Sequence, residues 1–184
     1  MIQALNQARL SVLSFFRLAL PGIADEACRG VKVGNGIEWP LLNVSQIILG
    51  RNVSLGKRGW FYIPARNKTA TILIGEGTSI GNGFVISCVR IISICENCLI
   101  GFNVSILDHH HKTGKFINPT TIGLSEGNGI FIERNCFIGC NAVILEGVHI
   151  GENCVIGANS VVTKSFPAGM TIAGNPARII GEVK

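Results

Sequence analysis

Asp108-His109-His110-His111 gathers the groups in this chain best suited to moving a proton. Imidazole exchanges a proton near neutral pH, so histidine serves as a general base, a general acid or a metal ligand. An adjacent carboxylate can orient or polarise a ring, as in a catalytic triad, or it can cap the end of a strand. Three neighbouring histidines also suit a solvated loop or adventitious metal binding. After the cluster comes a polar run with Gly114, Pro119, Gly123, Gly127 and Gly129, so the histidines ride on a loop. The fourth histidine, His149, stands just before an aliphatic position and reads as an outward rung residue.

A beat of six positions that loop. Aliphatic residues recur as Ile94, Ile100 and Ile106, and after the loop as Ile132, Ile138, Ile144, Ile150, Ile156 and Val162. Glycine usually follows, as in Ile100-Gly101, Ile138-Gly139, Ile150-Gly151 and Ile156-Gly157. This period matches neither the helical repeat nor the alternation of a half-buried strand. It is the signature of a hexapeptide β-helix. Three hexads close one coil of a triangular prism, and the coils stack with strands about 4.8 Å apart. A single coil cannot bury its face alone, so the stack must be several coils deep and capped.

The remaining organisation follows from this rod. Leu5, Ala8, Val12, Phe15 and Ala19 share one helical face, and Pro21-Gly22 stops the pattern, so residues 1–22 read as an N-terminal apolar helix. The helix is too short and too interrupted by Arg17 to span a bilayer. It either packs on the first coil or a neighbouring subunit, or lies in a membrane interface as a peripheral anchor. Residues 23–163 form the β-helix, with the excursion at 107–130, and residues 164–184 form a cap or tail. Leu49-Gly50 and Leu55-Gly56 open the first hexads, and Ile74-Gly75 and Ile80-Gly81 continue them. A two-residue slip near Ile91-Ile92 shifts the phase before Ile94. Lys57 to Lys68, with Trp60, Phe61 and Tyr62, reads as a basic insertion at a coil edge or beside an acceptor. The last coil is expected to end at Val162.

Composition agrees with a β-rich core. Apolar residues make up 47% and charged residues 15%, which excludes a disordered chain. Isoleucine dominates, and β-branched side chains favour strands. The net charge of +5 is scattered without aromatic interleaving, so nucleic acid is not an expected partner. Seven cysteines, an odd number, argue against a disulfide framework and for a reducing compartment. Cys95 and Cys98 have the C-x-x-C spacing, but no second pair completes a zinc set. Cys98, Cys136 and Cys154 instead recur in one small-residue slot of the hexads.

The hexads, the histidine excursion, Val161-Val162-Thr163-Lys164 and Gly174-Asn175-Pro176-Ala177-Arg178 together resemble the hexapeptide-repeat acyltransferases. The likeness covers roughly residues 45 to 182. It is greatest to sugar O-acetyltransferases of the maltose and galactoside acetyltransferase type and their relatives in surface-polysaccharide synthesis. The resemblance implies an all-β, left-handed parallel β-helix and a homotrimer with active sites between subunits. It also implies acetyl-CoA as co-substrate, no required metal, and a sugar or glycan acceptor. In such enzymes the catalytic histidine lies eight residues after the Asn of the hexad before the loop, which maps from Asn103 to His111. Asp108 is the carboxylate that would orient a ring. Phe137, Cys140 and Ala158 match positions lining the CoA arm, and Thr163, Lys164 and Arg178 match those near its phosphates. Charge-assisted contacts suit Lys and Arg there. Asn82 and Asn103 are the expected acceptor-side residues. The acceptor-side carboxylate of maltose and galactoside enzymes has no counterpart near Val89, which argues against those simple acceptors.

The implied setting is cytoplasmic, at the inner face of the membrane if the N-terminal helix is interfacial. Three other readings compete. An N-acetyltransferase of an amino-sugar nucleotide or drug uses the same fold. A γ-carbonic-anhydrase-like metalloenzyme needs histidines spread over separate coils, whereas three are consecutive here. A non-catalytic solenoid needs regular outward Thr rows, which are missing.

Overall fold

Residues 29–40, 46–65, 67–113 and 123–184 are described by the computed structural model. The predicted N-terminal helix lies outside them. The chain winds as a coil of short parallel strands. A first rung, β1 (Lys32–Val33), precedes the full coils. These comprise β2 (Ile47–Leu49), β3 (Ser54–Leu55) and β4 (Trp60–Tyr62); β5 (Thr71–Ile74), β6 (Ser79–Ile80) and β7 (Val85–Ser87); and β8 (Ile91–Ile94), β9 (Leu99–Ile100) and β10 (Ser105–Leu107). After the histidine loop come β11 (Ile130–Ile132), β12 (Phe137–Ile138) and β13 (Val143–Ile144), then β14 (His149–Ile150), β15 (Val155–Ile156) and β16 (Val161–Val162). The chain ends on β17 (Met170–Gly174) and β18 (Ala177–Glu182).

Three sheets form the sides of a prism. One has the order β1-β3-β6-β9-β12-β15-β17-β18, the second β16-β13-β10-β7-β4, and the third β14-β11-β8-β5-β2. We call these the first, second and third sides. On the first side Ile80, Ile100, Ile138, Ile156 and Ile172 lie in register, and on the second Ile86, Ile106, Ile144 and Val162. All of these side chains are buried, so the six-residue beat marks an inward position on each side, and the third side buries a second, as with Ile130 and Ile132. Ile94 pairs with Ile132 across the histidine loop, so the coil resumes its register after the excursion.

Two edges of the prism turn tightly. At both, a residue with positive φ reverses the chain: Asn97, Asn135 and Asn153 on one, Asn103, Asn141 and Asn159 on the other. Asn is the non-glycine residue best suited to that conformation. The stacked amides also bond along the rod, Asn103 Nδ2 donating to Asn141 Oδ1 and Asn141 Nδ2 to Asn159 Oδ1, each at 3.2 Å. Gly101 opens such a corner because a Cβ there would lie 2.6 Å from the Cys140 backbone nitrogen of the next coil. Just inside the other tight edge runs a ladder of buried donors. Thr78 Oγ1 donates to the Cys95 carbonyl at 2.8 Å, Cys98 Sγ to Glu133 at 3.2 Å, Cys136 Sγ to Gly151 at 3.2 Å and Cys154 Sγ to Pro167 at 3.1 Å. The recurrent cysteines thus fill a small slot and satisfy corner carbonyls.

Two sequence expectations need correction. Trp60 to Tyr62 is strand β4, not part of an insertion, and Phe61 is a core residue at 1% exposure. Its ring stacks on Trp39 and meets Phe84 edge-on, both at 5.0 Å. A phenylalanine at the isoleucine position and Arg58 at the positive-φ corner hid this rung. The coil also continues beyond Val162: Phe166 bridges to Ile150 and Ile172 pairs with Ile156. The antiparallel β18 then covers the last rung of the first side through the turn at the cis Asn175-Pro176 bond. Among the described residues no helix is long and apolar enough to cross a membrane.

The third edge, between the second and third sides, takes up every length irregularity. Among the described residues, 63–65, 67–70, 88–90, 108–113, 123–129 and 145–148 all lie there. One carboxylate ties these segments together. Asp108, fully buried, accepts from the backbone N–H groups of Val89 at 2.8 Å, Arg90 at 2.8 Å and Ile91 at 3.0 Å. Its own carbonyl accepts from Asn128 N–H at 2.9 Å, and Asn128 in turn accepts from Gly147 at 3.0 Å. The two-residue slip read near Ile91 is therefore a bulge wrapped around Asp108.

Two stability measurements follow. Asp108→Ala removes the acceptor of one buried and two partly buried N–H groups and should lower the unfolding free energy by about 2–4 kcal/mol, because an orphaned buried donor costs roughly 1–3 kcal/mol and a partly exposed one less. Ile138→Ala, at a fully buried rung, should cost about 2–5 kcal/mol. Urea titration reads both. Only the first should also raise the rate of proteolytic cutting within 108–129.

Candidate active site

The histidine excursion leaves the second side after Leu107 and folds back as a two-stranded ribbon. Ser125 N–H donates to the His110 carbonyl at 2.8 Å and Lys112 N–H to Gly123 at 3.1 Å. Between them, His111 and Leu124 form an antiparallel bridge. That pattern makes His111 and Leu124 a non-hydrogen-bonded pair, whose side chains lie close together on one face of the ribbon.

The three histidines have different surroundings. His109 is nearly enclosed, its side chain 9% exposed. Its Nδ1 is 3.0 Å from Asp108 Oδ1 and its Nε2 is 3.4 Å from Ser87 Oγ. The carboxylate already accepts three backbone N–H groups, so the network assigns the hydrogen to Nδ1 and leaves Nε2 to accept from the serine. His110 turns away, with Nδ1 2.7 Å from Glu146 Oε1, and pins the ribbon to the following coil. Ser125 Oγ supports the same point by accepting from His110 N–H at 3.1 Å. His111 is exposed, and its ring has no side-chain partner among the described residues. Cys88, below Asp108, donates to Oδ2 at 3.4 Å. Burial first, and the Asp108 carboxylate second, push that thiol far above its ordinary range, so it is not a nucleophile.

Most positions matched to an acyl donor lie elsewhere on the prism, but Thr163 and Lys164 share the histidine edge, where β16 of the second side leads to Phe166 on the third. Phe137, 40% exposed, stands on the first side between Leu99 and Val155. Cys140 and Ala158 sit one above the other at the corner joining the first and second sides, where a Cβ on Gly139 would meet the Ala158 nitrogen at 2.5 Å. Thr163 and Lys164 follow β16 and are exposed, with Lys164 Nζ 5.7 Å from the Phe166 ring centroid. Arg178 is exposed on β18 and donates to the Ala177 carbonyl at 2.8 Å. Within one chain the second side therefore separates Cys140 and Ala158 from the histidine ribbon. The two asparagines expected at the acceptor are corner residues. Asn82 Oδ1 accepts from Lys57 N–H at 2.7 Å, and Asn103 belongs to the amide ladder.

Several participants went unread in the sequence. Ser87 lies one residue past the inward Ile86, and only the slip that follows it hinted at a change of surroundings. Glu146 looked like an ordinary corner residue of the next hexad. A cavity of about 760 Å³ opens beside the ribbon, between residues 64–69 and 124–126, with Val89 at its floor. His149 faces outward as expected, bonded to Glu133 Oε1 at 2.9 Å. Among the described residues no group of three His, Cys, Asp or Glu side chains is arranged to hold a metal.

Comparison with known proteins agrees with this architecture. Residues 129–164 match the family model described as the hexapeptide repeat of succinyl-transferase. A Dictyostelium discoideum protein named as an acetyltransferase is 43% identical over 114 residues, which is 61% of this chain. The match spans 58% of that relative's length. A solved galactoside acetyltransferase in complex with coenzyme A is 25% identical, with a TM-score of 0.53, over 95% of this chain and 78% of that one. A variant of an N-acyltransferase from Bacillus cereus, in complex with dTDP-4-amino-4,6-dideoxyglucose and coenzyme A, shares the fold. Its TM-score is 0.64 at 18% identity, over 84% of this chain and 78% of that one. Its repeat and three-sided coil are those of the hexapeptide-repeat fold, and the chain is similar to proteins of that fold named as acetyltransferases and acyltransferases.

Proposed function

We propose that this protein is an O-acetyltransferase that moves an acetyl group from acetyl-CoA to a sugar hydroxyl of a glycan. His111 is the general base, in a homotrimer with its active sites between subunits. One observation carries the reading: the uncommitted imidazole and the corner that holds Cys140 and Ala158 stand on different edges of the prism. A second copy packed alongside supplies the missing half. His111 of one subunit then faces Phe137, Cys140 and Ala158 of its neighbour. Thr163, Lys164 and Arg178 hold the phosphates of the donor.

The chemistry needs few parts. His111 takes the proton from the acceptor hydroxyl as its oxygen attacks the thioester carbonyl. The tetrahedral intermediate places negative charge on the carbonyl oxygen, where backbone N–H groups stabilise it. The C–S bond breaks, and the imidazolium returns its proton to the leaving thiolate. The products are an acetyl ester and free CoA, with no acyl-enzyme. Asp108 acts through the loop by fixing where the ribbon leaves the coil. Asn82 and Asn103 shape the corners beside the acceptor. In a cytoplasmic enzyme of surface-polysaccharide synthesis, residues 1–22 would sit at the inner membrane face and bring the site to its glycan.

A specific observation also favours a second reading, in which His109 is the base. It alone has a carboxylate on Nδ1 and a hydroxyl facing Nε2. Against it stand its enclosure and the use of both ring nitrogens within the chain. Paired variants separate the two. His111→Ala should lower acetyl transfer by about 10²–10⁴-fold, the usual worth of a general base, while acetyl-CoA binding and the sedimentation coefficient stay unchanged. Thiol release from acetyl-CoA against a panel of sugars and amino sugars reads the rate. Wild-type turnover in His111→Ala, with loss in His109→Gln, would assign the base to His109. Transfer to amines alone would make the enzyme an N-acetyltransferase.

A further inference from the structure

We propose that the cavity between residues 64–69 and the histidine ribbon is the acceptor subsite, and that Lys68 and Glu126 in it select a neutral oligosaccharide. This rests on the acetyltransferase reading above and specifies its acceptor. The volume of about 760 Å³ falls within the range of roughly 300–1,000 Å³ of small-molecule sites and has room for more than one sugar ring. Pro64, Val89 and Leu124 supply apolar surface for ring C–H groups. Across from them are Lys68, a donor only, and Glu126, an acceptor only. Both are exposed, and neither is ion-paired to another described residue. A sugar hydroxyl donates and accepts at once, so a neutral sugar can bond to either charge. An anionic acceptor would meet Glu126 unfavourably, and a cationic one would meet Lys68.

The walls are fixed before any ligand arrives. Asn67 Oδ1 accepts from Thr69 and Ala70 N–H groups, each at 3.0 Å, and Asn67 Nδ2 donates to the Val89 carbonyl. Val89 is held in turn by Asp108. On the opposite wall, Gly127 has a φ of 72°, and a Cβ there would come within 2.5 Å of Val89 Cγ2, so this position admits only glycine. The cavity also abuts the reactive group. Leu124 lines it, and Leu124 is the bridge partner of His111 on the same face of the ribbon. Leu124 thus joins the cavity to the ribbon face that carries the imidazole.

The experiment uses the full chain with maltotriose, chitotriose and trigalacturonic acid as probes. Saturation-transfer NMR measures binding, and acceptor kinetics with acetyl-CoA measure turnover, in wild type, Lys68→Ala and Glu126→Ala. The expected result is binding of at least one neutral trisaccharide. Either substitution should weaken it about tenfold, as for loss of a hydrogen bond to a charged group, with acceptor KM raised in proportion and the KM for acetyl-CoA unchanged. The proposal is overturned if no trisaccharide binds, if both variants bind as wild type does, or if only trigalacturonic acid binds and Glu126→Ala strengthens it. Side-chain-dependent trisaccharide binding without acetyl transfer to any acceptor would sustain the subsite and remove the transferase reading. Acetyl transfer with acceptor KM unchanged in both variants would do the reverse.

Discussion

A closed coil can change length only where it turns. Each rung of this prism has fixed inward positions, one per strand on the first and second sides and two on most rungs of the third, and an extra residue within a strand would send its isoleucine outward. The stacked corners forbid growth at two of the three edges, because glycine backbones there pass within contact of the next coil. All variation in length is thereby driven to the third edge. The first coil's excursion, the bulge at 88–90, the histidine ribbon and the corner at 145–148 lie one above another because nowhere else admits them. The core makes the rod stiff, and its stiffness decides where chemistry can be built.

Asp108 makes that edge into a single object. A buried carboxylate with three backbone N–H donors resembles an inverted helix cap, organising peptide groups that no strand satisfies. Through its carbonyl it also fixes the returning half of the ribbon. His109 packs against it and so is better placed to hold the loop than to leave it. His110 is spent on Glu146. The ring left over is His111, and the two neighbours that look most like catalytic partners are its mounting.

The sequence carried the rod plainly, since the isoleucines keep their beat and the asparagine corners repeat with them. It carried the position of the excursion for the same reason: a broken period is visible. The early coils were harder, because Phe61 and Arg58 replace the residues that usually mark a rung and a corner. Phe166 likewise concealed a final partial coil. The partners Ser87 and Glu146 carried no readable signal of their own. Their meetings with the loop depend on which rungs are stacked, a relation between residues far apart in the chain. The separation of Cys140 and Ala158 from His111 was invisible for a related reason, since a one-dimensional motif does not tell which edge of a prism it occupies.

The hairpin that ends the chain has a consequence for how molecules can meet. A bare last rung would offer its peptide groups to the first rung of another molecule, and the rods would join end on end into a fibre. Strand β18 runs against the grain of the solenoid and occupies that template on the first side, while β16 keeps a free edge on the second. Parallel stacking of copies along the axis is thereby opposed on one side of the three.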